Sequence, residues 1–137
     1  MSRFTLAFED SFEGDALDPA KWRLHGKGIR RGGYWGSSQA FIKGGRLVIR
    51  TEYQDGAYGP GWYHAGIDTK GLFEQQYGYF DARCKLPKEG LWSAFWMLCG
   101  RMMQETGNGK DGAEIDIFES PLLRQAAERA RDLQHPL

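Results

Sequence analysis

Cysteine is scarce in this sequence, net charge is absent, and no apolar run is long. Cys84 and Cys99 are the only two cysteines among 137 residues. Two thiols in apolar stretches read more readily as buried side chains than as a disulfide scaffold. The 18 basic and 18 acidic residues cancel, so no field attracts nucleic acid or an anionic membrane, and neither is expected as a partner. The N-terminal "MSRFTLAFEDSF" reaches an acidic pair by residue 10 and has no apolar core, unlike a signal peptide. No later segment is long enough to span a bilayer. As written, the chain reads as soluble and cytoplasmic. It has no internal repeat.

Glycine and aromatic residues are plentiful. Nineteen Gly, 14% aromatic residues and five Trp favour an all-β fold with many turns and stacking surfaces. Residues 4–8 read as a short strand, followed by a turn-rich stretch around Pro19. "GKGIRRGGYWGSSQ" reads as a glycine-rich loop carrying Tyr34 and Trp35. "AFIKGGRLVIRTEY" has the pattern of a hairpin turning at Gly44-Gly45. "YQDGAYGPGWYH" reads as a second loop. "AGIDTKGLFEQQYGYFDARCKLP" reads as two strands, with period two from Tyr79 to Leu86. "LWSAFWMLCG" is an apolar strand, and "RMMQETGNGKDG" is a polar loop.

The stretch "AEIDIFES" then sets Glu114, Asp116 and Glu119 among Ile115, Ile117 and Phe118. Alternate strand residues share a face, so Glu114 and Asp116 point together. Strict alternation sends Glu119 to the Ile side, where a lone carboxylate is costly. One extra residue, a β-bulge near Ile117-Phe118, returns Glu119 to the acid face. Three acids on one face suit a hard cation. They equally suit glycoside cleavage by two carboxyls about 5 Å apart. A solvated edge strand is the plain alternative. Trp92 and Trp96, four residues apart, would share a strand face and offer sugar rings a platform, or else belong to the core.

"GYFDARCKLPKEGLWSAFWML" followed by "DGAEIDIFE" resembles glycoside hydrolase family 16, the laminarinase, lichenase and carrageenase group. The acid motif has the bulged spacing of laminarinase-like members. "FEDSFEGDALDPAKW" and "GGRLVIRTEY" are similar to that family's opening strands, so the resemblance covers residues 4–120. It implies an antiparallel jelly-roll (concanavalin A-like) sandwich with a cleft on its concave face. It also implies retaining endo-hydrolysis of a polysaccharide, most simply β-1,3- or β-1,3-1,4-glucan. By motif position Glu114 is the nucleophile, Glu119 the acid and base, and Asp116 the group holding the nucleophile and the shared proton. Trp92 and Trp96 would line subsites, Arg83 would bond sugar hydroxyls, and Tyr34 and Trp35 would border the cleft. The chemistry requires no cofactor. Some members hold a structural calcium, whose ligands this sequence does not place, and family members are often secreted.

A sandwich of this kind runs to about 200–250 residues, so residues 1–120 read as the N-terminal half of a catalytic domain, incomplete at its C-terminus. A complete domain would be a monomer, whereas a half-sandwich exposes core and is prone to aggregate. The tail, 121–137, has no Gly and no aromatic residue. It reads as a helix capped by Ser120 with Pro121 in its first turn. Its possible codons, read one base out of step from Pro121, admit a continuation with a His-Trp pair like that of family members. The break in composition therefore suggests a frameshifted or truncated product. The alternative to an enzyme is an inactive fragment or a non-catalytic carbohydrate-binding sandwich.

Overall fold

The computed structural model describes residues 4–87, 91–101 and 112–119. The helix expected over 121–137 and most of the polar loop at 101–112 lie outside the described residues. The chain divides into two compact units, Met1–Gly78 and Tyr79–Leu137. Secondary structure among the described residues is strand throughout, apart from one 3-10 turn at Ser37–Gln39. No helix among them is long and apolar enough to cross a membrane.

The first unit is a set of short ladders pinned by aromatic rings. Near its start, Asp10 accepts a hydrogen bond from Trp22 Nε1 at 2.7 Å, and Phe8 packs against Trp22 and Phe73 at 5.4 and 4.8 Å. Residues 4–8 form no ladder, and Phe4 and Leu6 are exposed. An apolar pentapeptide becomes a strand only where a neighbour takes up its N–H and C=O groups. β1 (Arg23–His25) pairs antiparallel with β8 (Gly66–Asp68). There Asp68 accepts hydrogen bonds from Arg23 Nε at 2.9 Å and Nη2 at 2.7 Å, and also pairs with His25 Nε2.

Both stretches read as loops contain hairpins instead. β2 (Ile29–Arg30) and β3 (Gly33–Trp35) join through Arg31 (φ 49°) and Gly32 (φ 80°). β6 (Glu52–Gly56) and β7 (Gly59–His64) join through Ala57-Tyr58. The glycines that suggested loops serve the turns and close packing. A Cβ at Gly61 would lie 2.6 Å from the Tyr34 ring, and one at Gly56 would lie 2.5 Å from that of Tyr63. Tyr63 is 2% exposed. Its hydroxyl donates to Gly59 O at 2.9 Å and accepts from Tyr58 N at 2.8 Å. The hairpin expected at Gly44-Gly45 is present between β4 (Ala40–Ile42) and β5 (Leu47–Ile49). Both glycines have positive φ, 58° and 64°, as a two-residue turn of the mirror-image type requires. "RLVIRTEY" is not one strand, because β5 ends at Ile49 and β6 begins at Glu52. At that break Arg50 reaches back to the fully buried Gln39, its Nε donating to Oε1 at 2.9 Å.

The larger sheet has the order β2-β3-β7-β6. Its β3–β7 pair is parallel, with Tyr34 opposite Tyr63 and Trp35 opposite His64. That departs from a purely antiparallel sandwich. The intervening β4–β5 hairpin and β6 supply the long crossover that parallel neighbours need.

In the second unit, β9 (Ala94–Leu98) and β10 (Glu114–Glu119) form one antiparallel pair. The strand expected over Tyr79–Leu86 is not formed. Residues 74–87 are exposed and make no ladder, so the alternation there has no partner among the described residues to fix it.

Candidate active site

β9 and β10 build the site by register. Glu114 lies opposite Leu98, Ile115 opposite Met97, and Asp116 opposite Trp96. The pairing then shifts, so that Phe118 faces Phe95 and Glu119 faces Ala94. Ile117 is the extra residue. Cross-strand partners project from the same face of a sheet. Glu114, Asp116 and Glu119 therefore share one face with Ala94, Trp96 and Leu98. Phe95, Met97, Ile115 and Phe118 occupy the other, where the Phe95 and Phe118 rings meet at 6.2 Å. The bulge inferred from the cost of burying Glu119 stands where that argument put it.

Exposure follows this division except at Ile115, which is 55% exposed. Trp96 is 43% exposed and all three acids are exposed, whereas Phe95, Met97 and Phe118 are partly covered. Along a straight ladder, Glu114 and Asp116 are about 7 Å apart at Cα, and Glu114 and Glu119 about 13 Å. Two glutamate side chains leaning toward the central aspartate narrow that gap from both ends. Carboxyls that share a strand face with an exposed indole are suited to acid chemistry on a sugar. Among the described residues, no three His, Cys, Asp or Glu side chains converge to hold a metal ion.

The other predicted residues fare differently. Trp92 is exposed but precedes β9 by two residues, so the shared-face argument reaches only Trp96. Arg83 is exposed in the segment without a ladder. Tyr34 and Trp35 are neighbours on β3 in the first unit, and strand alternation sends them to opposite faces. Tyr34 stacks against Tyr58 and Tyr63 at 5.4 and 5.1 Å. Trp35 stacks against His64 at 4.6 Å, with Arg30 Cζ 6.0 Å from its ring centre. Burial, then the nearby Arg30 charge, lowers the His64 pKa. Cys84 and Cys99 are exposed rather than buried and are not joined in a disulfide. Cys99 N instead extends the β9–β10 ladder by donating to Ala113 O at 3.0 Å.

No family model matches the chain. The chain is 32% identical over 123 residues to a beta-glucanase of Rhodothermus marinus, covering 83% of this chain and 43% of that protein. It is 28% identical to glucan endo-1,3-beta-glucosidase A1 of Niallia circulans, covering 84% of this chain and 20% of the relative. Among solved structures, the catalytic domain of an endo-1,3-beta-glucanase (laminarinase) from Thermotoga petrophila superimposes with a TM-score of 0.72 and 33% identity. That match covers 88% of this chain and 52% of the solved one. The chain thus spans about half or less of the length of these proteins.

Proposed function

We propose that this chain, a relative of the laminarinase-type β-glucanases of glycoside hydrolase family 16, carries the catalytic strand of a retaining endo-glycosidase acting on β-1,3-linked glucan. The observation that carries the reading is the register shift at Ile117, which gathers Glu114, Asp116 and Glu119 around Trp96 on one exposed face. A sugar-binding module has no need of two glutamates flanking an aspartate in this way. The named activities of the relatives supply the substrate class.

In the proposed reaction, Glu119 donates its proton to the glycosidic oxygen as the C1–O bond breaks. A Glu114 carboxylate oxygen attacks the anomeric carbon from the other face and forms a glycosyl ester. Glu119, now ionised, takes a proton from water. That water attacks C1, releases Glu114, and restores the original anomeric configuration. Asp116, between them on the ladder, holds the Glu114 carboxylate in line and shares the proton. Trp96 packs against the apolar C–H face of the sugar. The double displacement passes through no metal or cofactor.

The test is release of reducing ends from laminarin by the 137-residue chain. Glu114→Gln is expected to lower turnover at least about a thousandfold, since both chemical steps pass through that carboxylate. Turnover of the variant within about tenfold of the parent would rule out the assignment.

A further inference from the structure

The open face of the four-stranded sheet in the first unit carries a row of side chains that the reaction does not use. Arg30 on β2 pairs with Gly33 on β3. The parallel register of β3 and β7 puts Gly33 beside Trp62, and Trp62 pairs directly with Tyr53 on β6. Across the sheet the row reads Arg30, Gly33, Trp62, Tyr53. Trp62 and Tyr53 are 55% and 60% exposed. They meet edge to face at 5.6 Å, so each ring holds the other's orientation. The opposite face of β7 carries the buried Tyr63, so this pair belongs to the outer side of the sheet.

Gly33 is the feature that makes a groove. A Cβ there would lie 2.7 Å from the Trp62 carbonyl oxygen, so no other residue fits without moving backbone. Between β2 and β7, two strand spacings or about 10 Å apart, the row is floored by backbone alone. Trp62 walls one side. Arg30, drawn over the Trp35 ring at 6.0 Å, walls the other. An exposed indole and a guanidinium with several N–H donors, carried on strands about 10 Å apart, fit a molecule with apolar C–H faces and hydroxyl edges.

We propose that this row is a carbohydrate-binding surface in which a pyranose ring of a neutral glucan packs on Trp62, with Tyr53 beside it and Arg30 bonding its hydroxyls. The choice of glucan rests on the proposed function; the surface itself rests on the row. The test is retardation of the chain in native gels containing laminarin, made in the Glu114→Gln background so that the polysaccharide survives. Trp62→Ala is expected to weaken retardation about tenfold, and Trp62→Phe to restore most of it. Far-UV circular dichroism checks that both variants fold alike. Retardation unchanged by Trp62→Ala, or none in the Glu114→Gln chain, overturns the surface even if the parent hydrolyses laminarin. Retardation lost through Trp62→Ala upholds it, including the case where the parent shows no turnover and the catalytic reading alone falls.

Discussion

At the scale of single residues, two carboxylate settings in this chain have opposite purposes. Glu114, Asp116 and Glu119 face outward, beside a ring. Asp68 turns onto the Arg23 guanidinium and the His25 ring and ties β1 to β8. Burial pushes the Asp68 pKa up, but hydrogen bonds from Arg23, His25 and the Lys70 amide outweigh it and hold the carboxyl below its ordinary value. The folded form therefore binds this proton less readily than the unfolded form. Its contribution is fully present above the unfolded pKa of about 4 and is lost as pH falls through the folded value. Asp68→Asn is expected to cost about 1 kcal/mol near neutral pH, discounted because the pair is partly exposed. It should also flatten the acid limb of a stability profile below about pH 4. Denaturant midpoints measured across that range check both. An unaltered acid limb would show that Asp68 does not link β1 to β8.

At the scale of elements, the bulge decides whether the acids cooperate. Without Ile117, "EIDFE" alternates regularly, and Glu119 still lies opposite Ala94. A second extra residue, taken up by strict alternation, would leave Glu119 on the acid face but carry it two ladder positions further from Glu114, about 20 Å away at Cα. Deletion of Ile117 is therefore expected to keep measurable laminarin hydrolysis, while insertion of Ala after Ile117 abolishes it. Equal activity in the two variants would contradict the register argument. This element was legible because a stranded carboxylate is expensive, which made the alternation of "EIDIFE" self-correcting. The Gly44-Gly45 hairpin was legible because its turn needs two positive φ values. The hairpins at 29–35 and 52–64 were not, because their glycines were read as loop-formers. Gly56 and Gly61 in fact clear space for the Tyr63 and Tyr34 rings, a packing demand visible only once strands are paired. The same misreading hid Tyr53 and Trp62, although each stands beside the turn-forming run "DGAYGPG". Tyr79–Leu86 failed the other way: its alternation is real, but alternation without a neighbouring strand makes no ladder.

At the scale of the whole molecule, the chain covers about half or less of the length of its relatives. Ile115 and Ile117 are 55% and 44% exposed on β10, where a sandwich would cover the apolar side of the pair. Glu114, Asp116, Glu119 and Trp96 all come from two strands joined antiparallel. The central claim is thus local to β9–β10 and can be tested on the chain as it stands. The most direct measurement is mass spectrometry of the chain after incubation with a 2-deoxy-2-fluoro laminaribioside bearing an activated leaving group. Such a sugar forms the glycosyl ester but hydrolyses it slowly. The account predicts one added fluorinated glycosyl unit, on the peptide containing Glu114 and absent from Glu114→Gln. A label on Glu119 or elsewhere, or no label at all, would contradict it.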